Sequence, residues 1–217
     1  YAHKELKDII DLQLNASNTE LKFPLFCHPL PENTEKVILE DDNIIVSNLI
    51  LDHSIKCSGF LFEEKKSARN IIKSQVEKYN VPFDKMNSLK NGADWINSIG
   101  EVISNRVLTS ENSLPNKYAF CSDTSYNETL IEKIKEVDLL YHETTFMKNL
   151  EDRADQTGHS TTLQAATIAK KAKVKRLLIG HYSQRYKKLD DLLDETKETF
   201  SNTFLSYSGL VIDFKEF

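Results

Sequence analysis

The sequence is poor in the residues that break or staple a chain. Only 6 glycines and 5 prolines occur among 217 residues, with no low-complexity tract, which argues against extensive disorder. Cysteine is scarce too. Cys27, Cys57 and Cys121 form an odd set without C-x-x-C spacing, which argues against a disulfide framework and against a thiolate zinc knuckle. Such usage fits a reducing, cytoplasmic compartment. No apolar run approaches the roughly 18 residues of a membrane span, and no signal pattern opens the chain, so no membrane partner is expected. Positive charge is not in excess either: the net charge of −5 argues mildly against nucleic acid as a partner. What is present suffices for a core, since 40% of residues are hydrophobic and the length suits one large domain or two small ones. The first residue is Tyr1 rather than Met and a helical pattern begins at once, which suggests a missing segment upstream.

Leu6, Ile9, Ile10 and Leu14 recur at helical spacing and predict an amphipathic helix over 3–15. Residues 36–40 and 44–53 read as strands around a tight Asp-Asp-Asn turn, and 57–64 as a further strand. Residues 67–109 break the pattern with a basic helix over 68–79, a Val-Pro break and short pieces around Gly92 and Gly100. They read as an insertion. From Lys117 onward, strands over 117–123, 137–143 and 174–181 alternate with helices over 127–136, 160–172 and 190–200. Short strands over 203–208 and 210–214 close the chain. Alternation of this kind implies α/β layering, divided as 1–66, 67–109 and 110–217. Charge is locally biased: 8 Lys or Arg without an acid between Lys170 and Lys188, and 7 between Lys65 and Lys90 against Glu77 and Asp84. Charge runs are often solvated faces, but two of them could contact phosphates.

Chemistry-bearing residues gather where strands stop. The run LLIGH ends on His181, KYAFCSD on Asp123 and VDLLYHE on His142 and Glu143. NLILDH ends on His53, and His159 lies just before a predicted helix. A single strand-end histidine is commonly an ordinary surface residue. Several strands delivering such residues to one kind of edge is the arrangement in which open α/β sheets hold ligands. Histidine with carboxylate, and no cysteine in register, is the ligand set of catalytic zinc or manganese. Water activated by such an ion can attack phosphorus, and a histidine held off the metal could protonate the leaving oxygen.

The segments NLILDHSIKCSGFLFEE, YAFCSDTSY, VDLLYHETTF, GHSTTLQAATIAKKA and LLIGHYSQRY resemble, in order and spacing, the ribonuclease Z family. These are tRNA 3′-processing endonucleases of the metallo-β-lactamase superfamily. The resemblance runs the whole length of the chain. It implies an α/β fold of the metallo-β-lactamase αββα sandwich type, here its C-terminal part, with 67–109 as a tRNA-binding arm. It implies a zinc-dependent endoribonuclease that removes the 3′ trailer from precursor tRNA, acting as a homodimer. His53 and His181 would be terminal metal ligands and Asp123 the bridge between two zinc ions, with manganese as an alternative. His159 would be the catalytic proton donor and His142 with Glu143 a supporting pair. Arg69, Lys73, Lys78 and Arg185 are the expected RNA contacts.

Two departures stand out. The family's HxHxDH signature is absent, its usual place being upstream of Tyr1, so the chain is expected to be truncated and inactive alone. The arm's Gly-Pro element is not evident in NVPFDKMNSLKNG. Two other readings compete: a metallo-β-lactamase-fold phosphodiesterase for small substrates, which needs neither basic stretches nor an arm, and a non-catalytic fragment or oligomerisation module.

Overall fold

A computed structural model describes residues 1–214 of the chain. The helix α1 (Lys4–Ala16) precedes three strands, β1 (Val37–Glu40), β2 (Ile44–Leu51) and β3 (Cys57–Glu64). Residues Lys65–Pro115 then form a compact unit of their own. It contains β4 (Asn70–Ile71), α2 (Lys73–Lys78), α3 (Met86–Lys90), β5 (Trp95–Ile96), β6 (Val102–Ile103), α4 (Asn105–Leu108) and β7 (Thr109–Ser110). The first unit resumes with β8 (Lys117–Cys121), α5 (Leu130–Lys133), β9 (Leu139–Glu143), α6 (Glu151–Thr157) and α7 (Thr162–Lys171). It ends with β10 (Leu177–Gly180), α8 (Asp190–Thr199) and β11 (Thr203–Leu205).

One seven-stranded sheet, in the order β1-β2-β3-β8-β9-β10-β11, organises the larger unit. The pairings β1–β2, β2–β3 and β3–β8 are antiparallel, while β8–β9, β9–β10 and β10–β11 are parallel. Two successive antiparallel pairings restore direction, so β2 runs the same way as β8, β9 and β10. Side chains alternate across the sheet. One face carries Leu49, Leu51, Ala119, Cys121, Leu140, Leu177 and Ile179 into a core with Leu130 and Ile134, with Ile168 and Ala169 of α7, and with Leu192 of α8. The other face carries an aromatic row in which Phe62 stacks on Tyr118 and Phe120 on Tyr141. Among the described residues, this helix-covered sheet is the large layer pair of the α/β fold. No helix among them is long and apolar enough to cross a membrane.

The Lys65–Pro115 unit has a separate core of Val76, Leu89, Ile103 and Leu108. It reaches beyond the 67–109 read from sequence at both ends. The helix expected over 68–79 is shorter, because Asn70 and Ile71 pair with Ser110 and Thr109 as a strand. Two other expectations shrink. The helix predicted over 127–136 forms only as α5, since the Asn127 side chain accepts from Thr129 N and Glu136 takes a left-handed conformation (φ 57°). No strand forms over 210–214: Leu210 N donates to Tyr207 O in a turn, and the segment pairs with no strand among the described residues.

Candidate metal centre

Because β2, β8, β9 and β10 run in one direction, their carboxyl ends share one edge of the sheet. His53 lies two residues past β2 and Asp123 two past β8, Glu143 ends β9, and His181 follows β10 directly. Asp123 (φ 59°) and His181 (φ 57°) both adopt left-handed backbone, which turns the chain sharply at the edge. His159 comes from the α6–α7 connection. One ligand atom each from Asp123, Glu143, His159 and His181 lies within 4.8 Å of the others. The His159 ring is 5.2 Å from that of His181 and 5.1 Å from that of His53. His53 therefore borders the group without being one of its four members.

Glu143 is fully buried and saturated with donors. Its Oε1 accepts from Thr124 N at 2.7 Å and His159 Nδ1 at 2.9 Å, and its Oε2 from Thr145 Oγ1 at 2.5 Å and Ser160 N at 3.1 Å. Four such bonds fill the carboxylate's acceptor sites, so it holds its neighbours in place and has no lone pair left for an ion. His142 does not join it. Alternation puts His142 on the helix-covered face, in register with Cys121 and Ile179, where Nδ1 donates to Glu143 O at 2.8 Å and Nε2 is buried without a partner. Burial pushes its pKa below the usual histidine value, against the raising influence of Glu143. The expected supporting pair thus separates into one residue in the site and one in the core.

The remaining rings are oriented as metal-binding imidazoles usually are, with one nitrogen tied to protein so that the other faces the site. His53 Nδ1 donates to Gly158 O at 2.8 Å, leaving Nε2 as the open nitrogen. Gly158 is required there twice over: its φ is 74°, and a Cβ would lie 2.6 Å from His53 Nδ1. His181 Nε2 and Asp123 Oδ1 stand 2.9 Å apart, yet Asp123 Oδ1 is a buried atom without a hydrogen bond. An acceptor oxygen and a ring nitrogen that converge without satisfying each other fit a shared cation. The donor set, imidazole and carboxylate without thiolate, suits zinc or manganese.

Phe146 meets His159 edge-on at 6.2 Å, and the Arg185 guanidinium lies 5.0 Å over the Phe146 ring. Lys73 and Lys78 are exposed on α2 in the separate unit. Arg69 is occupied: it donates to Thr109 Oγ1 at 2.7 Å and to Glu111 at 2.9 Å, bracing β4 against β7. The Lys170–Lys188 run is partly neutralised by pairs of Lys171 with Glu128 and of Lys175 with Asp138. Thr124, Thr145, Gly158 and Ser160 complete the site, although only their places beside Asp123, HE and GH in the sequence hint at it. Thr161 is the N-cap of α7, in a capping box with Gln164.

The sheet and its helix layer are those of the metallo-β-lactamase fold. Human tRNase Z, short form (ELAC1), superimposes with a TM-score of 0.64 at 23% identity, over 99% of this chain and 66% of that one. The metallo-β-lactamase fold protein YhfI from Bacillus subtilis matches with a TM-score of 0.54 at 18% identity, over 84% of this chain and 52% of that one. No family model matches the sequence. The chain belongs to the ribonuclease Z family: it is 40% identical to ribonuclease Z of Bacteroides thetaiotaomicron over 98% of its own length and 67% of that protein's. Ribonuclease Z of Bacteroides fragilis is 39% identical, over 98% of this chain and 70% of the relative. The chain thus spans about two thirds of the length of the relatives it matches.

Proposed function

We propose that this chain carries the hydrolytic edge of a metal-dependent endoribonuclease that removes the 3′ trailer from precursor tRNA. The observation that carries the reading is His159, held by buried Glu143 beside the convergent Asp123 and His181. Names of relatives at about 40% identity support the RNA substrate. His53, Asp123 and His181 would hold zinc, or manganese, with Asp123 as the bridge if two ions bind. A bound divalent ion would supply Lewis-acid polarisation of the phosphate and activation of the attacking water.

The chain's own residues do the rest. His159 Nδ1–H is committed to Glu143, so Nε2 is the atom that carries a proton to the leaving ribose 3′-oxygen, and the Glu143 carboxylate stabilises the charged ring. Arg185, fixed over Phe146, offers a cation to a neighbouring phosphate of the RNA. Lys73 and Lys78 are the phosphate contacts of the Lys65–Pro115 unit, acting as an arm. Three cysteines outside any disulfide suit the cytoplasm, and the homodimer is part of the same reading.

The test is His159→Ala in the full-length protein, assayed on precursor tRNA with a 3′ trailer and by metal analysis. Turnover should fall about 10²- to 10⁴-fold with metal content unchanged. Loss of metal from the variant would make His159 a ligand, and no trailer cleavage by the unmodified protein with zinc or manganese would remove the tRNA reading.

A further inference from the structure

Three atoms crowd the Thr145 hydroxyl: Glu143 Oε2 at 2.5 Å, His181 Nδ1 at 2.9 Å and His181 O at 3.0 Å. A hydroxyl owns one proton. An ionised carboxylate can only accept, and Glu143 Oε2 is the nearest of the three, so the proton goes there. Oγ1 is then an acceptor, and of the two remaining neighbours only His181 Nδ1 can donate to it. The approach to the His181 carbonyl is a close contact between two acceptors, not a second bond.

From this we infer that Thr145 is a positioning residue whose hydroxyl extends the reach of Glu143 to His181. It holds that ring in the Nδ1–H tautomer and presents the Nε2 lone pair to the point it shares with Asp123 Oδ1. The inference rests on the reading of this edge as a cation site. Glu143 thereby orients two rings at once, His159 directly through Oε1 and His181 through the Thr145 hydroxyl on Oε2. His53 is oriented by a different group, the Gly158 carbonyl, and supplies an internal control. Which ring nitrogen is protonated is set by the bond the other makes, so removing the hydroxyl frees His181 to exchange tautomers. Loss of such outer support usually costs about 10- to 100-fold in metal affinity.

Long-range ¹H–¹⁵N spectra of the histidine side chains in the metal-free full-length protein, near neutral pH, read the tautomer directly. His181 should be Nδ1–H in the unmodified protein. In Thr145→Val it should shift to Nε2–H or a mixture, with His53 unchanged and zinc affinity about 10- to 100-fold lower by chelator competition. Thr145→Ser, which keeps the hydroxyl, should restore both. An Nε2–H ring in the unmodified protein overturns the proposal without any variant, as does a folded Thr145→Val protein with the original tautomer and affinity. Should Thr145→Val not fold, the unmodified and Thr145→Ser spectra still decide. A protein with His181 as Nδ1–H that binds neither zinc nor manganese would sink the cation reading while leaving the hydroxyl's role intact.

Discussion

His142 and Glu143 are consecutive residues with opposite fates, and strand alternation is the cause. Around Glu143 four hydrogen-bond donors stand where water would otherwise be. His142, fully buried against the helix layer, has no group to pair with Nε2, so its protonated form is disfavoured. The sign of the consequence is fixed. Below the unfolded pKa near 6.5, the unfolded chain takes up a proton that the native chain refuses, so stability is full above that pH and falls as pH drops. One such group contributes at most about 1.4 kcal/mol per pH unit. Urea unfolding at pH 7.5 and 5.5 should therefore show a smaller loss on acidification for His142→Leu than for the unmodified chain; an equal loss would show that other groups control acid sensitivity. Cys121, on the same face, has its thiol pushed up to about 12 by burial. Iodoacetamide should modify half-buried Cys27 in the native protein but reach Cys121 only after unfolding. Rapid native labelling of Cys121 would contradict its burial.

The short helix α6 matters less for its own packing than for how it ends. Gly158 terminates it in left-handed backbone, offers its carbonyl to His53 and delivers His159 one residue later. Gly158→Ala should cost about 1–2 kcal/mol for the left-handed conformation alone, and should also displace the His53 ring, whose Nδ1 occupies the space of the new methyl. Gly209→Ala is the matched control, with φ 86° and open space around it: strain without displacement. Histidine spectra that are alike in the two variants would show that the His53 contact is dispensable. This helix was not legible in the sequence, because EDRADQT buries only Ala154 and shows no apolar stripe. The strands ending at Asp123, Glu143 and His181 were legible, since dense apolar runs between helical patterns have few other interpretations. LVIDF looked equally strand-like, but a strand needs a neighbour, and local composition does not say whether one is there. Within the site, ionisable residues announced themselves at strand ends. Thr145 and Gly158 did not, because a hydroxyl or a missing side chain acquires its role only from what folding places beside it.

At the scale of the whole molecule, the Lys65–Pro115 unit leaves and re-enters the sheet at one point. Glu64 N donates to Asn116 O at 2.9 Å, and Asn116 N and Nδ2 return bonds to Glu64 Oε2 at 2.8 and 2.9 Å. With its ends clasped, the segment can be replaced by a short Gly-Ser linker without separating β3 from β8. If the unit is an RNA-gripping arm, its removal should weaken cleavage of precursor tRNA and flatten its salt dependence, while hydrolysis of bis-(p-nitrophenyl) phosphate persists. Equal loss on both substrates would place the segment in the support of the catalytic edge instead. The clasp has an evolutionary consequence as well. Seen from the sheet, everything between Glu64 and Asn116 is one loop, and the entropy of closing a loop grows only with the logarithm of its length. A lineage can therefore lengthen, shrink or swap this module with little penalty to the scaffold, so that, if the unit is the RNA-gripping arm, recognition can drift while the sheet edge stays fixed.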